Sequence, residues 1–270
     1  GELIQIHPGY TSIITGIPGH GKSEWLDQLI VQLCIDHDLR GCYFSPENKP
    51  TAIHVIKLVE KITGKSAWKS SSLEIRKAKE FLDNRIFWVY PPDGYNLDHV
   101  LEKVRQSVLR HGVNFFVLDP WNKLEHQYEQ SETKYVSESL DKIANFNTKN
   151  GTHCFIVAHP TKMKFDHQKG QYEVPGLYDI SGSANFYNKA DLGITVYKER
   201  SQEGFYNTIY VQKVKFKYWG KTGHISVSWN PDNGRYSDGA YDDSNWLDGI
   251  KQQEVISFSE PRTAEDNPPF

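Results

Sequence analysis

The stretch Gly16-Ile17-Pro18-Gly19-His20-Gly21-Lys22-Ser23 decides the reading of this chain. It fits the phosphate-binding pattern G-x-x-x-x-G-K-[S/T], and its flanks fit as well. Tyr10 to Thr15 is short, β-branched and apolar, which predicts a buried strand. Glu24 to Leu33 carries apolar residues at helical spacing, which predicts a helix. Strand, glycine loop and helix is the order that phosphate binding requires. Gly16, Gly19 and Gly21, with Pro18 and His20 between them, let backbone N–H groups turn inward around a triphosphate. The helix N-terminus adds its partial positive charge. Lys22 is placed to reach the β- and γ-phosphates, and Ser23 to hold Mg²⁺. The cofactors expected are therefore ATP, or another NTP or dNTP, and Mg²⁺.

Outward from this loop, strands and helices alternate. The second strand is predicted over Gly41 to Ser45, helices over 50–63 and 71–84, a strand over 85–90 and a helix over 97–109. A buried strand follows at 113–118, a helix at 132–150 and another buried strand at 152–158. After a polar stretch from Pro160 to Asn188 come three more strands, at 192–197, 207–214 and 224–229. The alternation implies an α/β fold with a mainly parallel sheet covered by helices on both faces. The final run of strands implies an antiparallel extension at one edge near the C-terminus.

Composition sets limits. The chain has 270 residues, 38% of them hydrophobic and 13% aromatic, enough for a sizeable core. The net charge of −3 is uneven. Residues 236–270 hold eight Asp and Glu against Lys251 and Arg262, a net of −6, which leaves +3 for the other 235 residues. We therefore expect a domain over 1–235 and an acidic, flexible tail over 236–270. Cys34, Cys42 and Cys154 are far apart and form no C-x-x-C, which argues against a zinc site or disulfide framework. No apolar run reaches membrane-spanning length and no signal peptide is visible, so no membrane partner is expected. The chain begins with Gly1 rather than Met, so it reads as a segment of a longer protein.

Three further motifs carry chemistry. Phe115-Phe116-Val117-Leu118-Asp119 is a bulky apolar run ending in a carboxylate, the Walker B pattern, with Asp119 serving Mg²⁺. The next residue is Pro120, so the water-activating base lies elsewhere, at Glu47 in Ser45-Pro46-Glu47-Asn48 or at Glu125. Glu47 is preferred, on the expectation that its strand lies next but one to the phosphate-loop strand. His159, at the tip of a core strand, is placed to sense the γ-phosphate. From Pro160 to Asn188, Lys162, Lys164 and Lys169 and the small-residue turn Ser181-Gly182-Ser183-Ala184-Asn185 suit a nucleic-acid backbone. Lys213, Lys215 and Lys217 alternate, which on a strand would put three cations on one face.

The order of these motifs resembles the helicase domain of the superfamily four ring helicases, with the Twinkle-like and phage primase-helicase branch nearest and bacterial DnaB more distant. The resemblance spans residues 1 to about 235. It rests on the phosphate loop, Ser45-Pro46-Glu47-Asn48, Asp119-Pro120-Trp121-Asn122, His159, and Tyr178-Asp179-Ile180-Ser181-Gly182-Ser183. It implies a RecA-like fold, a homo-oligomeric ring that is usually a hexamer, ATP held between subunits, and single-stranded DNA gripped by central loops. By the same resemblance Lys22 and Ser23 bind phosphate and Mg²⁺, Glu47 is the catalytic base, Asp119 serves Mg²⁺, and His159 is the γ-phosphate sensor. Lys162, Lys164, Lys169, Gly182, Ser183 and Asn185 belong to the DNA-binding stretch, expected to be mobile without DNA over 160–174. Arg200 and Trp229 fall where relatives hold the adenine ring. Relatives carry a Lys-x-Arg pair near 213 whose arginine reaches a neighbour's ATP. Here the pair is Lys213-Val214-Lys215, which supplies charge without the planar fork. Phage relatives also carry an arginine at the position of Ser181. A primase, upstream or separate, is an expected partner, and the cytoplasm of a bacterial or phage-infected cell is expected ahead of the mitochondrial matrix. The resemblance implies a replicative motor. Two other readings share the phosphate loop: a RecA- or RadA-like ATPase that assembles on DNA without unwinding it, and a small-molecule kinase.

Overall fold

The structure, a computed structural model, describes residues 4–126, 131–161, 163–168, 170–181, 183–201 and 204–248. Its elements in order are β1 (Thr11–Thr15), α1 (Lys22–His37), β2 (Gly41–Phe44), α2 (Thr51–Thr63), α3 (Ser72–Asp83), β3 (Ile86–Trp88), α4 (Leu97–His111) and β4 (Phe115–Leu118). Then come α5 (Glu132–Asn150), β5 (His153–Val157), β6 (Phe165–Asp166), β7 (Gln171–Tyr172), α6 (Ser183–Lys189), β8 (Leu192–Ser201), β9 (Gly204–Val214), β10 (Gly223–Trp229) and β11 (Tyr236–Ser237). The large sheet has the order β11-β10-β9-β8-β1-β5-β4-β2-β3. From β8 to β3 all neighbours are parallel, and from β8 to β11 they are antiparallel. The expected α/β fold with an antiparallel extension is what forms.

Alternate side chains of the central strands feed two cores. Ile13, Cys42, Phe44, Phe116, Cys154 and Ile156 pack with α4, α5 and α6 on one face. Ile14, Tyr43, Phe115, Val117, Phe155 and Val157 pack with α1, α2 and α3 on the other. That is why these strands read as unbroken apolar runs rather than alternating ones. Helix ends follow local chemistry. Ser71 and Glu74 form a reciprocal capping box on α3, Asn96 and Ser131 cap α4 and α5, and Gly64, Gly112 and Gly151 close α2, α4 and α5 in left-handed conformations.

Two expectations need correcting. β2 does not lie next but one to β1: β5 and β4 both stand between them. The lysine row is not a strand face, because β9 ends at Val214 and residues 215–219 turn. Within the polar stretch after Pro160, β6 and β7 pair as a hairpin with Phe165 opposite Tyr172.

The boundary expected after residue 235 falls within a packed segment. Arg235 is 2% exposed and its guanidinium collects carbonyl groups: Lys61 at 2.7 Å and Ile62 at 3.3 Å from the end of α2, and Asp242 and Ser244 at 2.7 Å. It also pairs with the Asp242 carboxylate at 3.0 Å and lies 3.8 Å from the Trp246 ring centre. The α2 carbonyls have no intrahelical donors, so Arg235 satisfies a helix end and binds the C-terminal segment to it. Residues 249–270 lie outside the described residues. We expect Arg235→Ala to lower unfolding free energy by about 3 kcal/mol, since it strands buried acceptors and a carboxylate. Denaturant melts check this, and a wild-type midpoint would show that the segment contributes nothing to the domain.

Candidate nucleotide site

The loop from Gly16 to Lys22 leaves the C-terminal end of β1 and is shaped by close approach. Gly16 has φ 143°, and a Cβ there would stand 2.1 Å from the Val196 carbonyl oxygen on β8. Gly21 has φ 90°, and a Cβ would meet the Tyr236 hydroxyl at 2.2 Å. Both positions demand glycine on steric as well as conformational grounds. His20 is fixed by its neighbours: the Lys198 N–H donates to its Nδ1 at 2.9 Å and the Asn207 amide to its carbonyl at 2.9 Å. Burial, with Lys22 and Lys198 adding repulsion, pushes its pKa down to about 4, so it is neutral at physiological pH. Gln28 of α1 grips the Tyr236 backbone at both N–H and carbonyl, at 2.6 and 2.9 Å, which holds this residue against the loop.

Lys22 is 5% exposed and donates to the carbonyls of Gly16 at 2.8 Å and Ile17 at 3.1 Å. Burial lowers its pKa to about 8, against the opposing pull of Asp119 and Glu47. Asp119, at the tip of β4, is 4% exposed and accepts a hydrogen bond from the Ser23 side chain. Burial raises its carboxyl pKa to about 6 despite that bond. The pair supplies two hard oxygen donors, which fits Mg²⁺, an ion that takes few protein ligands and keeps phosphate and water for the rest. Among the described residues no group of three or more His, Cys, Asp or Glu is gathered as a metal cage.

Glu47 sits in the short turn Pro46–Asn48 after β2, half exposed, with the Lys123 ammonium 3.4 Å from its carboxylate. Its charge is felt at Lys22, Asp119 and His159. Glu125 instead packs against Gly94, and its N–H donates to the Tyr95 carbonyl, away from the loop. Although β2 is farther from β1 than expected, the tips of β2, β4 and β5 all point to the loop's end of the sheet because the strands are parallel. His159, just past β5, has a buried Nδ1 with no hydrogen-bond partner among the described residues. Burial lowers its pKa, and Lys22 and Lys123 lower it further while Glu47 opposes. A neutral imidazole with an unspent nitrogen beside Lys22 can bond to an incoming polar group.

The remaining expected residues lie elsewhere. Lys213 donates to the carbonyls of Tyr187 and Asn188 at the end of α6. Lys215 pairs with Asp191 at 2.6 Å, and the other Asp191 oxygen accepts from the Thr11 N–H at 3.0 Å. Thr11 begins β1, so Lys215 is separated from the loop by the whole strand, roughly 17 Å at the usual rise. Arg200 on β8 faces Phe205 on β9, and the β9–β10 register puts Trp229 level with Phe205, so β9 stands between the two. Trp229 pairs with Tyr236, next to Gly21. Lys164, just before β6, is exposed, and the Asn185 amide donates to the Thr133 carbonyl at the surface, at 2.8 Å. Ser183 opens α6. Lys162, Lys169 and Gly182 lie outside the described residues. The residues that sequence reasoning missed are Lys123, Lys198, Asn207 and Tyr236. Of these only Lys123, four positions after Asp119, had a local signal.

The chain is similar to known proteins in sequence and in fold. The chain is 36% identical over 253 residues to the Twinkle homolog protein, chloroplastic/mitochondrial, of Arabidopsis thaliana, a match that takes in 88% of this chain. The chain spans 35% of that relative's length. The fold matches a solved ATPase domain with TM-score 0.68 at 16% identity, over 87% of this chain and 86% of that one. It also matches a DnaB-like replicative helicase, solved with its interactions with primase as a subject, with TM-score 0.69 at 16% identity, over 86% of this chain and 59% of that one. No protein-family model matches.

If Lys22 holds phosphate as a cation, nucleotide affinity falls as pH rises through about 8, because the free amine cannot pair with the anion. Titrations of a non-hydrolysable ATP analogue from neutral to alkaline pH check this. A flat profile would remove Lys22 charge from the binding account.

Proposed function

We propose that the chain is an ATP-dependent DNA helicase domain of a superfamily four replicative helicase or primase-helicase, working as a ring with its nucleotide at subunit interfaces; the 36% identity to the plant Twinkle homolog over most of the chain and the fold shared with solved helicase ATPase domains support this reading. The observation that carries the interface reading is the split across the sheet. Lys22, Ser23, Glu47, Asp119 and His159 gather at one end. Lys215, the candidate trans-acting cation, sits at the other end on Asp191 and cannot reach its own loop. A second subunit supplies what one chain separates.

In this reading Lys22 and the inward N–H groups would hold the phosphates, Ser23 and Asp119 would hold Mg²⁺, whose charge would offset that of the phosphate oxygens when bound, and Glu47 would take the proton of the attacking water. His159 bonds to the terminal phosphate through its unspent nitrogen. Lys215 of the adjoining subunit adds positive charge where negative charge develops in the transition state. Lys123, 3.4 Å from the Glu47 carboxylate, orients it. Arg200, Trp229 and Lys213 are proposed to hold the base and the interface. Lys162, Lys164, Lys169, Gly182, Ser183 and Asn185 are proposed to follow the backbone of single-stranded DNA.

Strand displacement from a forked duplex in the presence of ATP tests the whole proposal. ATPase activity stimulated by single-stranded DNA without any displacement would favour the DNA-assembling ATPase instead. No helix among the described residues is long and apolar enough to cross a membrane. The plant relative is named for chloroplast and mitochondrion, so the organelle stands beside the bacterial or phage-infected cytoplasm as a compartment to test.

Glu47→Gln is expected to keep nucleotide affinity while losing roughly 10²–10⁴-fold in kcat. Near-normal turnover would move the base to another group. Lys215→Ala is expected to lose up to about 10³-fold in kcat. Mixing Lys215→Ala subunits with Lys22→Ala subunits should restore hydrolysis, because a mixed interface then holds one intact loop and one intact lysine. Failure of the mixture to recover, with oligomers formed, would rule out catalysis in trans.

A further inference from the structure

The β6–β7 hairpin carries a feature that neither the nucleotide site nor the core uses. Phe165 and Tyr172 face one another across its two strands, with ring centres 5.1 Å apart in an edge-to-face arrangement. They are 44% and 42% exposed. The His167 ring stands 5.2 Å from Phe165. Lys164, whose carbonyl accepts from the Glu173 N–H at 2.8 Å, directly precedes Phe165 in the chain and is exposed.

These rings are exposed, yet their base is fastened. The Tyr197 hydroxyl of β8 donates to the Tyr172 carbonyl. The Pro175 carbonyl accepts from the Thr195 hydroxyl at 2.9 Å and the Gln212 amide at 3.1 Å. Two adjacent strands of the large sheet therefore hold the hairpin's returning arm. The Tyr197 ring also lies 5.1 Å from that of His20 in the phosphate loop, which places the hairpin at the loop's end of the sheet. A cross-strand aromatic pair stabilises a short hairpin. That duty alone does not require about two fifths of each ring to face solvent.

We propose that Phe165 and Tyr172 form a stacking platform for the unpaired bases of single-stranded DNA. The proposal rests on the helicase reading above and adds base contact to the backbone contacts given there. Every base has a π-face, so stacking on an aromatic ring tolerates any sequence, as a protein moving along a strand requires. With the Tyr172 arm fastened to β8 and β9, its ring meets the base with less conformational entropy to lose. Lys164 would pair with the adjoining phosphate, so ring and cation together match one nucleotide.

The test compares two oligonucleotides of equal length and charge, oligo-dT and a fully abasic strand, by fluorescence anisotropy. The full chain is used with Mg²⁺ and a non-hydrolysable ATP analogue. The wild type is expected to bind oligo-dT roughly tenfold tighter than the abasic strand. Phe165→Leu and Tyr172→Leu should each reduce that preference while leaving affinity for the abasic strand and its salt dependence in place. Equal binding of the two strands by the wild type overturns the platform and leaves the DNA reading standing. An undiminished preference in both variants, including one accompanied by equal weakening on both strands, also overturns it and assigns the rings a structural role. Absence of binding to either strand overturns the platform together with the DNA reading.

Discussion

A backbone can wrap a triphosphate only where its own side chains and neighbours leave room, and the loop from Gly16 to Lys22 is confined on two sides. The Val196 carbonyl presses on Gly16 from β8, and the Tyr236 hydroxyl presses on Gly21 from β11. The loop's conformation is thus set by strands distant in sequence as much as by its glycines. Tyr236 is itself clamped by Gln28 of the helix the loop begins, and Arg235 fastens the same segment to the end of α2. A closed circuit runs from loop to helix to C-terminal segment and back. The antiparallel extension and the segment after it therefore belong to the nucleotide site mechanically, although they contribute none of the proposed phosphate ligands.

Electrostatics inside this frame favour a nucleotide. A buried ammonium with pKa near 8, a buried carboxyl with pKa near 6 and neutral histidines at 20 and 159 are each held away from their ordinary titration by burial. Bringing phosphates and a divalent cation together would relieve both strains, since the anion favours charged Lys22 and the cation favours ionised Asp119. The protein alone thus carries a cost that binding removes. Such a cost is common where a fold keeps titratable groups for use rather than for stability.

Much of this was legible in the sequence because it is local. The loop pattern, the apolar run into Asp119 and the helical and strand periodicities each occupy one short window, and the fold places them as read. What failed was long-range or too short for periodicity. Strand order cannot be read from strand sequence, so β2 was expected one place too close to β1. Hairpin β6–β7 has two residues per strand, below any periodic signal. The acids after residue 235 looked like a solvated tail. Two of them, Asp242 and Asp243, are bonded to Arg235, Asn230 and Asn233. The alternation of Lys213, Lys215 and Lys217 suggested a strand face, but the aromatic turn at Phe216 to Trp219 ends β9 and packs on Tyr10 and His7.

That turn also bears on how two interfaces could communicate. Asp191 gives one oxygen to Lys215 and the other to the first N–H of β1, while the far end of β1 opens into the phosphate loop. In a ring, the loop end would face one neighbour and Lys215 the other. A single parallel strand, hydrogen-bonded on both sides by β5 and β8, then joins the two half-sites. Central strands of this kind are the stiffest part of an α/β domain, because their bonds are shielded from water on both faces. A displacement imposed at the loop by phosphate would be passed to the opposite end as rigid-body motion rather than absorbed. If Lys215 is the receiving end, as proposed above, lysine would suit it: its compact charge and flexible stem would let it leave Asp191 for a phosphate with few geometric demands, where a forked guanidinium would have to break and remake two bonds at once.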